Sequence, residues 1–229
     1  SQMKPGNLLL TLIIIFSIAL SQSCENDNHS GLPVDGDGNE YDTVVIGTQV
    51  WLAENLKTTK YNNGISIPLT TDNEDWISKT SAAFCWYNNQ PEKFKDDYGA
   101  LYNWWAVKVS ALCPVEYHVP TEEEWQTLID YLGGEEIAGD KLKAAGNQFW
   151  QTGNNATNVS DFTAMPGGMR NNDDGSFIQM RSYGYWWSST QGITDKYGSR
   201  LKIGYSLGNT YLTSWFKQSG FSVRCIKNN

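Results

Sequence analysis

The stretch "VPTEEEWQTLIDYLGG", residues 119 to 134, specifies one element closely and sets a demand on the rest of the chain. Thr121 and Glu124 have the spacing of a capping box, in which a hydroxyl and a carboxylate each satisfy a backbone N–H at the open end of a helix. Glu122, Glu123 and Glu124 fill the first turn, where the helix dipole is positive, and Gly133 supplies the stop. Between these bounds Trp125, Leu128, Ile129 and Leu132 recur at i, i+3, i+4 and i+7, an apolar stripe that has to be buried. The helix N-terminus accounts for the three glutamates, so they need no catalytic reading. A weaker helical pattern, "EEIAGDKLKAA", follows over 135 to 145.

Beyond Gly146 the helix signals vanish. Short β-rich runs, "FIQM", "YGYWWSST", "YGSRLKI", "TYLTSWF" and "GFSVRCI", alternate with Gly, Asn and Ser, which predicts a β meander with polar loops. Successive strand residues face opposite sides, so at most one of Trp186 and Trp187 can be a sugar platform while the other fills the core. Upstream, "YDTVVIGTQVWLAENL" from Tyr41 reads as two β-rich runs around Gly47, a hairpin or bent strand. In "YGALYNWWAV", 98 to 107, the near-helical spacing of Leu101, Trp104, Trp105 and Val107 predicts a short helix whose tryptophans enter the core.

The 229 residues suffice for one domain with a proper core. Aromatics make up 13% of the chain and charged residues only 18%, with a net charge of −8, which predicts a polar, weakly charged surface suited to neutral partners. The lack of a Lys/Arg block excludes nucleic acid as a partner and excludes adhesion to anionic lipid through basic patches. Membrane attachment would need an anchor. Residues 8 to 20, "LLLTLIIIFSIAL", preceded by Lys4 and followed by "SQSC", read as a signal peptide over 1–23, too short to span a bilayer. Cys24 resembles the lipidated cysteine of bacterial lipoproteins, which implies a lipid-anchored protein of the outer membrane or cell surface; the alternative is simple secretion. Residues 24–39 are polar and Gly-rich and read as a flexible linker, with the folded domain at 40–229. "DGDGNE", 35 to 40, has Glu40 where a calcium loop needs glycine and Ile46 where it needs glutamate, so it reads as a turn. The sequence leaves any need for calcium open, and no other cofactor is expected.

Chemistry-bearing residues are few. His29 lies in the linker, and His118 reads as a hydrogen-bonded structural histidine. There is no phosphate loop or H-E-x-x-H, and no cysteine spacing for zinc. Cys85, Cys113 and Cys225 allow one disulfide and one free thiol, in three possible pairings.

The segments "TVVIGTQVWLAENLKTTKYNNG", "CWYNNQ", "YGALYNWWAV", "CPVEYHVPTEEEWQTL", "ATNVSDFTAMPGGMRNNDDGSF", "YGYWWSST" and "GFSVRCI", in this order over about residues 35 to 229, resemble the Fibrobacter succinogenes major paralogous domain. Glu116 and Tyr117 depart from it, standing where the family commonly has Gly-Trp. The resemblance implies an α+β, loop-rich domain of the C-type lectin-like (formylglycine-generating-enzyme-like) fold. Two main helices would pack on a twisted antiparallel sheet whose last strand lies near the first. It also implies a Cys113–Cys225 disulfide with Cys85 as the spare thiol. The copper-binding cysteine pair of the formylglycine-generating relatives has no counterpart, since only Cys225 lies in that half. By analogy with the fold, residues 191 to 217 form the ligand face, with Tyr197, Ser199, Tyr205, Asn209, Tyr211 and Trp215 as its contact residues. The function expected is non-catalytic binding of a glycan or a surface protein. The alternatives are an exported polysaccharide-acting enzyme or accessory subunit using carboxylates such as Asp161, Asp173 or Asp195, and a structural subunit of a surface assembly.

Overall fold

The computed structural model describes residues 1–2 and 31–229; the rest of the expected signal segment, Cys24 and His29 lie outside the described residues. The described domain opens on the "DGDGNE" turn. Asp35 is buried; its Oδ1 accepts from the backbone N–H of Asp37 (2.9 Å) and Asn39 (3.0 Å), and its Oδ2 from the Tyr41 hydroxyl (2.6 Å). Residues 31–39, read from composition as linker, are therefore folded. One carboxylate that satisfies several donors orders a stretch that has little apolar surface to bury.

The chain then runs β1 (Thr43–Ile46), β2 (Gln49–Leu52), α1 (Asn73–Ser78), β3 (Phe84–Cys85), α2 (Pro91–Tyr98), β4 (Leu101–Tyr102), α3 (Trp104–Val107) and β5 (Tyr117–His118). It continues through α4 (Glu122–Tyr131), α5 (Ala138–Leu142), β6 (Met169–Arg170), β7 (Phe177–Ile178), β8 (Tyr183–Gln191), β9 (Tyr197–Gly204), β10 (Thr210–Phe216) and β11 (Ile226–Lys227). The result is a mixed α+β domain with small antiparallel sheets. Among the described residues their orders are β1-β2-β11-β5, β10-β9-β8, β3-β4 and β6-β7, four sheets where one was expected. Many of the strands have only two residues and are separated by long irregular connections, so no single ladder runs through them.

The last segment, Gly220 to Ile226, ties these sheets together. Gly220 bridges to Arg170, Phe221 to Tyr102 and Ser222 to Trp186, and Ile226 pairs with both Trp51 and His118. Within the same segment Cys225 is joined to Cys113, across 112 residues of chain. Among the described residues Cys85 is the free cysteine, and it is buried; burial pushes its thiol up to about 12 despite the neighbouring Arg170.

α4 forms as its sequence dictates. Thr121 and Glu124 close the capping box, and Trp125, Leu128, Ile129 and Leu132 are buried. Trp125 stacks on Trp51 at 4.7 Å between ring centroids. α5 is shorter than the pattern over 135 to 145: it begins after Ile137, with the Gly139 N–H donating to the Gly208 carbonyl at 2.8 Å, and ends at Lys143, whose extended backbone bridges to Ala164. The helix expected over 98 to 107 shrinks to α3. Gly99, at φ +72°, ends α2, Leu101 and Tyr102 pair with β3, and Asn103 caps the new helix by accepting from the Ala106 N–H. α1 and α2 carry no sequence stripe: α1 buries only Trp76, and α2 buries nothing.

β8 is the central beam. Both Trp186 and Trp187 are fully buried, on opposite faces. Trp186 joins a core with Trp51, Trp125, Leu128, Trp150, Leu201 and Ile203, and its Nε1 donates to Asn55 Oδ1 at 2.8 Å. Trp187 joins the other core with Tyr102, Trp104, Phe221 and Val223, and its Nε1 donates to the Tyr102 carbonyl at 2.7 Å. Neither ring is a sugar platform, and each is pinned to an upstream segment, Asn55 or Tyr102, rather than to the loop that follows. Gly184 is needed here because the Trp186 ring lies over it; an added Cβ would come within 2.2 Å of the ring.

Candidate functional site

In the three-stranded sheet the residue parity sorts side chains onto two faces. The register sets Tyr211 opposite Lys202, Thr213 opposite Arg200 and Trp215 opposite Gly198. On the far strand Tyr185 lies opposite Lys202 and Trp187 opposite Arg200. One face therefore carries Tyr183, Tyr185 and Trp187 on β8, Arg200 and Lys202 on β9, and Tyr211, Thr213 and Trp215 on the edge strand β10. Phe221 covers its β8 side, stacked on Tyr185 at 5.1 Å and tilted against Trp187 at 4.4 Å between centroids. The β10 side is open, with Tyr211 42% and Trp215 36% exposed.

Two cations run between the two rows of rings. The Arg200 guanidinium lies 4.9 Å from the Tyr185 ring centroid and 4.6 Å from that of Trp215. The Lys202 ammonium lies 4.7 Å from the Tyr183 centroid and 5.5 Å from that of Tyr211. Such contacts contribute about 0.5–2 kcal/mol each and hold the exposed rings in place from behind. Among the described residues no carboxylate comes within ion-pair distance of either cation. Arg200 is only 5% exposed, and its Nε and Nη1 have no hydrogen-bond partner. Burial lowers its pKa to about 10, and burial together with the Arg200 charge lowers that of Lys202.

The other two buried arginines are fully employed. Arg170 donates to the carbonyls of Thr70, Thr71, Asp72 and Gly175. Arg224 donates to the carbonyls of Leu52 (3.1 Å) and Phe162 (2.6 Å) and, through Nε and Nη2, to Asn55 Oδ1. Both fasten loops by their backbone, whereas Arg200 fastens none.

The opposite face of the sheet is mostly core. Ser199 is buried there, and its hydroxyl donates to Glu122 at the start of α4. Tyr197 packs on Phe216 at 4.7 Å between centroids. Tyr205 is half-buried against the core that holds Trp186, and Asn209 is half-buried in the β9–β10 turn. Of the six contact residues expected from sequence, Tyr211 and Trp215 thus share an open face, Tyr197 and Ser199 point the other way, and Tyr205 and Asn209 sit at the turn. Tyr183, Arg200 and Lys202 belong to the open face and were missed. The signal for the two cations was strand parity, since positions 200 and 202 alternate with the apolar Leu201 and Ile203. A groove of about 810 Å³ lies on the α4 side of β10, lined by Glu122, Glu123, Gln126, Thr190, Ile193 and Ser214 among others.

Among the described residues there is no cluster of three or more His, Cys, Asp or Glu placed to hold a metal ion. Asp161, Asp173 and Asp195 are exposed on three different turns. His118 has a structural environment: Nε2 contacts Glu124 Oε1 at 2.9 Å and Nδ1 contacts Asn228 Oδ1 at 2.7 Å.

The profile of the Fibrobacter succinogenes major domain matches residues 44–227, from within β1 to the end of β11. The chain belongs to that family. No curated protein and no solved structure matches it. In this member of the Fibrobacter succinogenes major domain family the matched span takes in all four sheets and the whole of the cation-backed aromatic face.

Proposed function

We propose that the protein is a non-catalytic binding module of the C-type lectin-like kind. A lipid on Cys24 would hold it at the cell surface or outer membrane, where it would take a glycan on the face of Tyr183, Lys202, Tyr211 and Trp215. The observation that carries this reading is the pair of exposed rings, Tyr211 and Trp215. They sit four residues apart on one strand, point to the same side, and are backed by cations. Rigid aromatics give broad contact area at low entropic cost. At strand rise they stand about 13 Å apart, so a ligand that engages both is an oligosaccharide rather than a single sugar. Thr213 between the rings and the cations behind them make the face amphipathic, which favours a sugar over an apolar protein partner.

The lectin-like assignment is supported by the last strand lying beside the first hairpin and by the bridge from the segment before α4 to that strand. The anchor is supported by the apolar run over 8 to 20 and by Cys24. A glycan array probed with the full chain tests the binding reading. The wild type binds at least one oligosaccharide, and Tyr211→Ala with Trp215→Ala abolishes that binding; retention by the double variant overturns the assignment of the face. Cys24→Ala moves the protein out of the membrane fraction of expressing cells; if it stays, the lipid anchor is wrong.

A further inference from the structure

We propose that Arg200 and Lys202 form an anion subsite within this face, so that the ligand is an acidic oligosaccharide whose carboxylate pairs with them. The proposal rests on the aromatic face being the binding face, and it adds the chemical class of the ligand. A guanidinium carries five N–H donors and a permanent charge, and burying it without a counter-ion is unfavourable unless its donors are met. Arg170 and Arg224 show how this chain meets that demand, by surrounding each guanidinium with carbonyls. Arg200 is nearly as deeply placed, 5% exposed, yet its Nε and Nη1, both shielded from solvent, are unpartnered, and its near neighbours are three rings and another cation.

Thr213 is the register partner of Arg200 and stands between the two exposed rings. The row thus has a small residue beside the guanidinium and a large ring on either side of it. A sugar packed on Tyr211 or Trp215 places substituents of its ring toward that gap. A carboxylate at that gap supplies the counter-charge that the guanidinium lacks, and the neighbouring Lys202 ammonium adds a second charge-assisted donor. A neutral sugar hydroxyl would satisfy donors but not charge. An acidic peptide offers the same carboxylate without a ring face for Tyr211 and Trp215, so the saccharide is the better fit.

The test is calorimetric titration of the full chain with oligogalacturonate, oligoglucuronate and oligomannuronate, with the methyl esters of each, and with poly-glutamate. The expected result is binding of at least one oligouronate that weakens about ten- to a hundredfold on esterification and by a similar factor in Arg200→Met. Lys202→Gln weakens it less. Thermal melts accompany every variant: Arg200→Met removes a buried unpaired charge but also the cation–π contacts with Tyr185 and Trp215, opposing effects that keep its midpoint close to that of the wild type, so a loss of binding in it is not a loss of fold. Equal binding of acid and ester, unaffected by Arg200→Met but lost in Trp215→Ala, overturns the anion subsite and leaves the glycan face standing. Binding of poly-glutamate alone, dependent on Arg200, overturns the saccharide class. If none of these probes binds while the array finds a neutral oligosaccharide that does, the acidic ligand is overturned. If neither experiment finds a saccharide, the glycan reading falls with it.

Discussion

Arg224 and Arg200 bring the same charge into the interior and meet opposite fates, and Asn55 is the reason for one of them. The Asn55 Oδ1 accepts from Arg224 and from Trp186 Nε1, while its Nδ2 donates to the Tyr98 carbonyl at 2.9 Å. Asn55→Ala leaves the Trp186 indole N–H without an acceptor and takes one acceptor from the buried Arg224 guanidinium, which keeps the carbonyls of Leu52, Phe162 and Thr163, so it should lower unfolding free energy by about 2–4 kcal/mol in urea titrations. A loss below about 1 kcal/mol would mean that the carbonyls of Leu52 and Phe162 suffice. His118 and Glu124 give a pH signature. Hydrogen bonding to Glu124 raises the His118 pKa above its ordinary 6.5 although burial works against it. The contribution of His118 is therefore complete below about 6.5 and fades as pH rises through its higher folded value. Burial pushes Glu124 up, but the bonds from His118 and Thr121 outweigh it and leave its pKa below 4.5, so its contribution is lost only as pH falls through that lower value. The stability advantage of wild type over His118→Gln should peak between these limits and shrink toward pH 8; a flat difference from pH 5 to 8 would contradict the pairing.

Among the elements, α4 was legible because its cap, its stripe and its stop all lie within sixteen consecutive residues. Thr121→Ala should cost about 1 kcal/mol by removing the side chain that accepts from the Glu124 N–H, measurable as a lower melting temperature. An unchanged melting temperature would mean that Glu124 and His118 hold the N-terminus without the hydroxyl. α1 and α2 were not legible, since neither presents a buried stripe: α1 depends on the Asp72 cap and α2 on Pro91 at its start. "TYLTSWF" coincides with β10, but residue type without parity gathers contact residues from both faces of β9 and β10 and from the turn between them. It groups Ser199, which is bonded to α4, with Trp215, which looks outward. The turn at 35 to 40 was hidden for a related reason. Its order comes from one carboxylate and its donors, which composition does not register.

On the scale of the whole molecule, the segment from Gly220 to Ile226 is the seam through which four small sheets become one domain, and Cys113–Cys225 fastens it. Closing a loop of this length constrains the unfolded chain by about 4–5 kcal/mol in the chain-entropy view. Reduction, or Cys113→Ser with Cys225→Ser, should lower stability by that order in denaturant titrations, and no change would mean that the seam holds without the bridge. The net charge of −8 lies elsewhere than on the open face, where the charged groups are the two cations Arg200 and Lys202. The central claim is that the ligand meets this face, and the direct measurement is oligosaccharide binding by single variants of adjacent residues on β10. Tyr211→Ala and Trp215→Ala should each weaken binding by about tenfold or more, while Ser214→Ala, whose side chain lines the groove beside α4, leaves it unchanged. If binding instead follows Ser214 and survives at Tyr211 and Trp215, the ligand lies in that groove and the account of the open face is wrong.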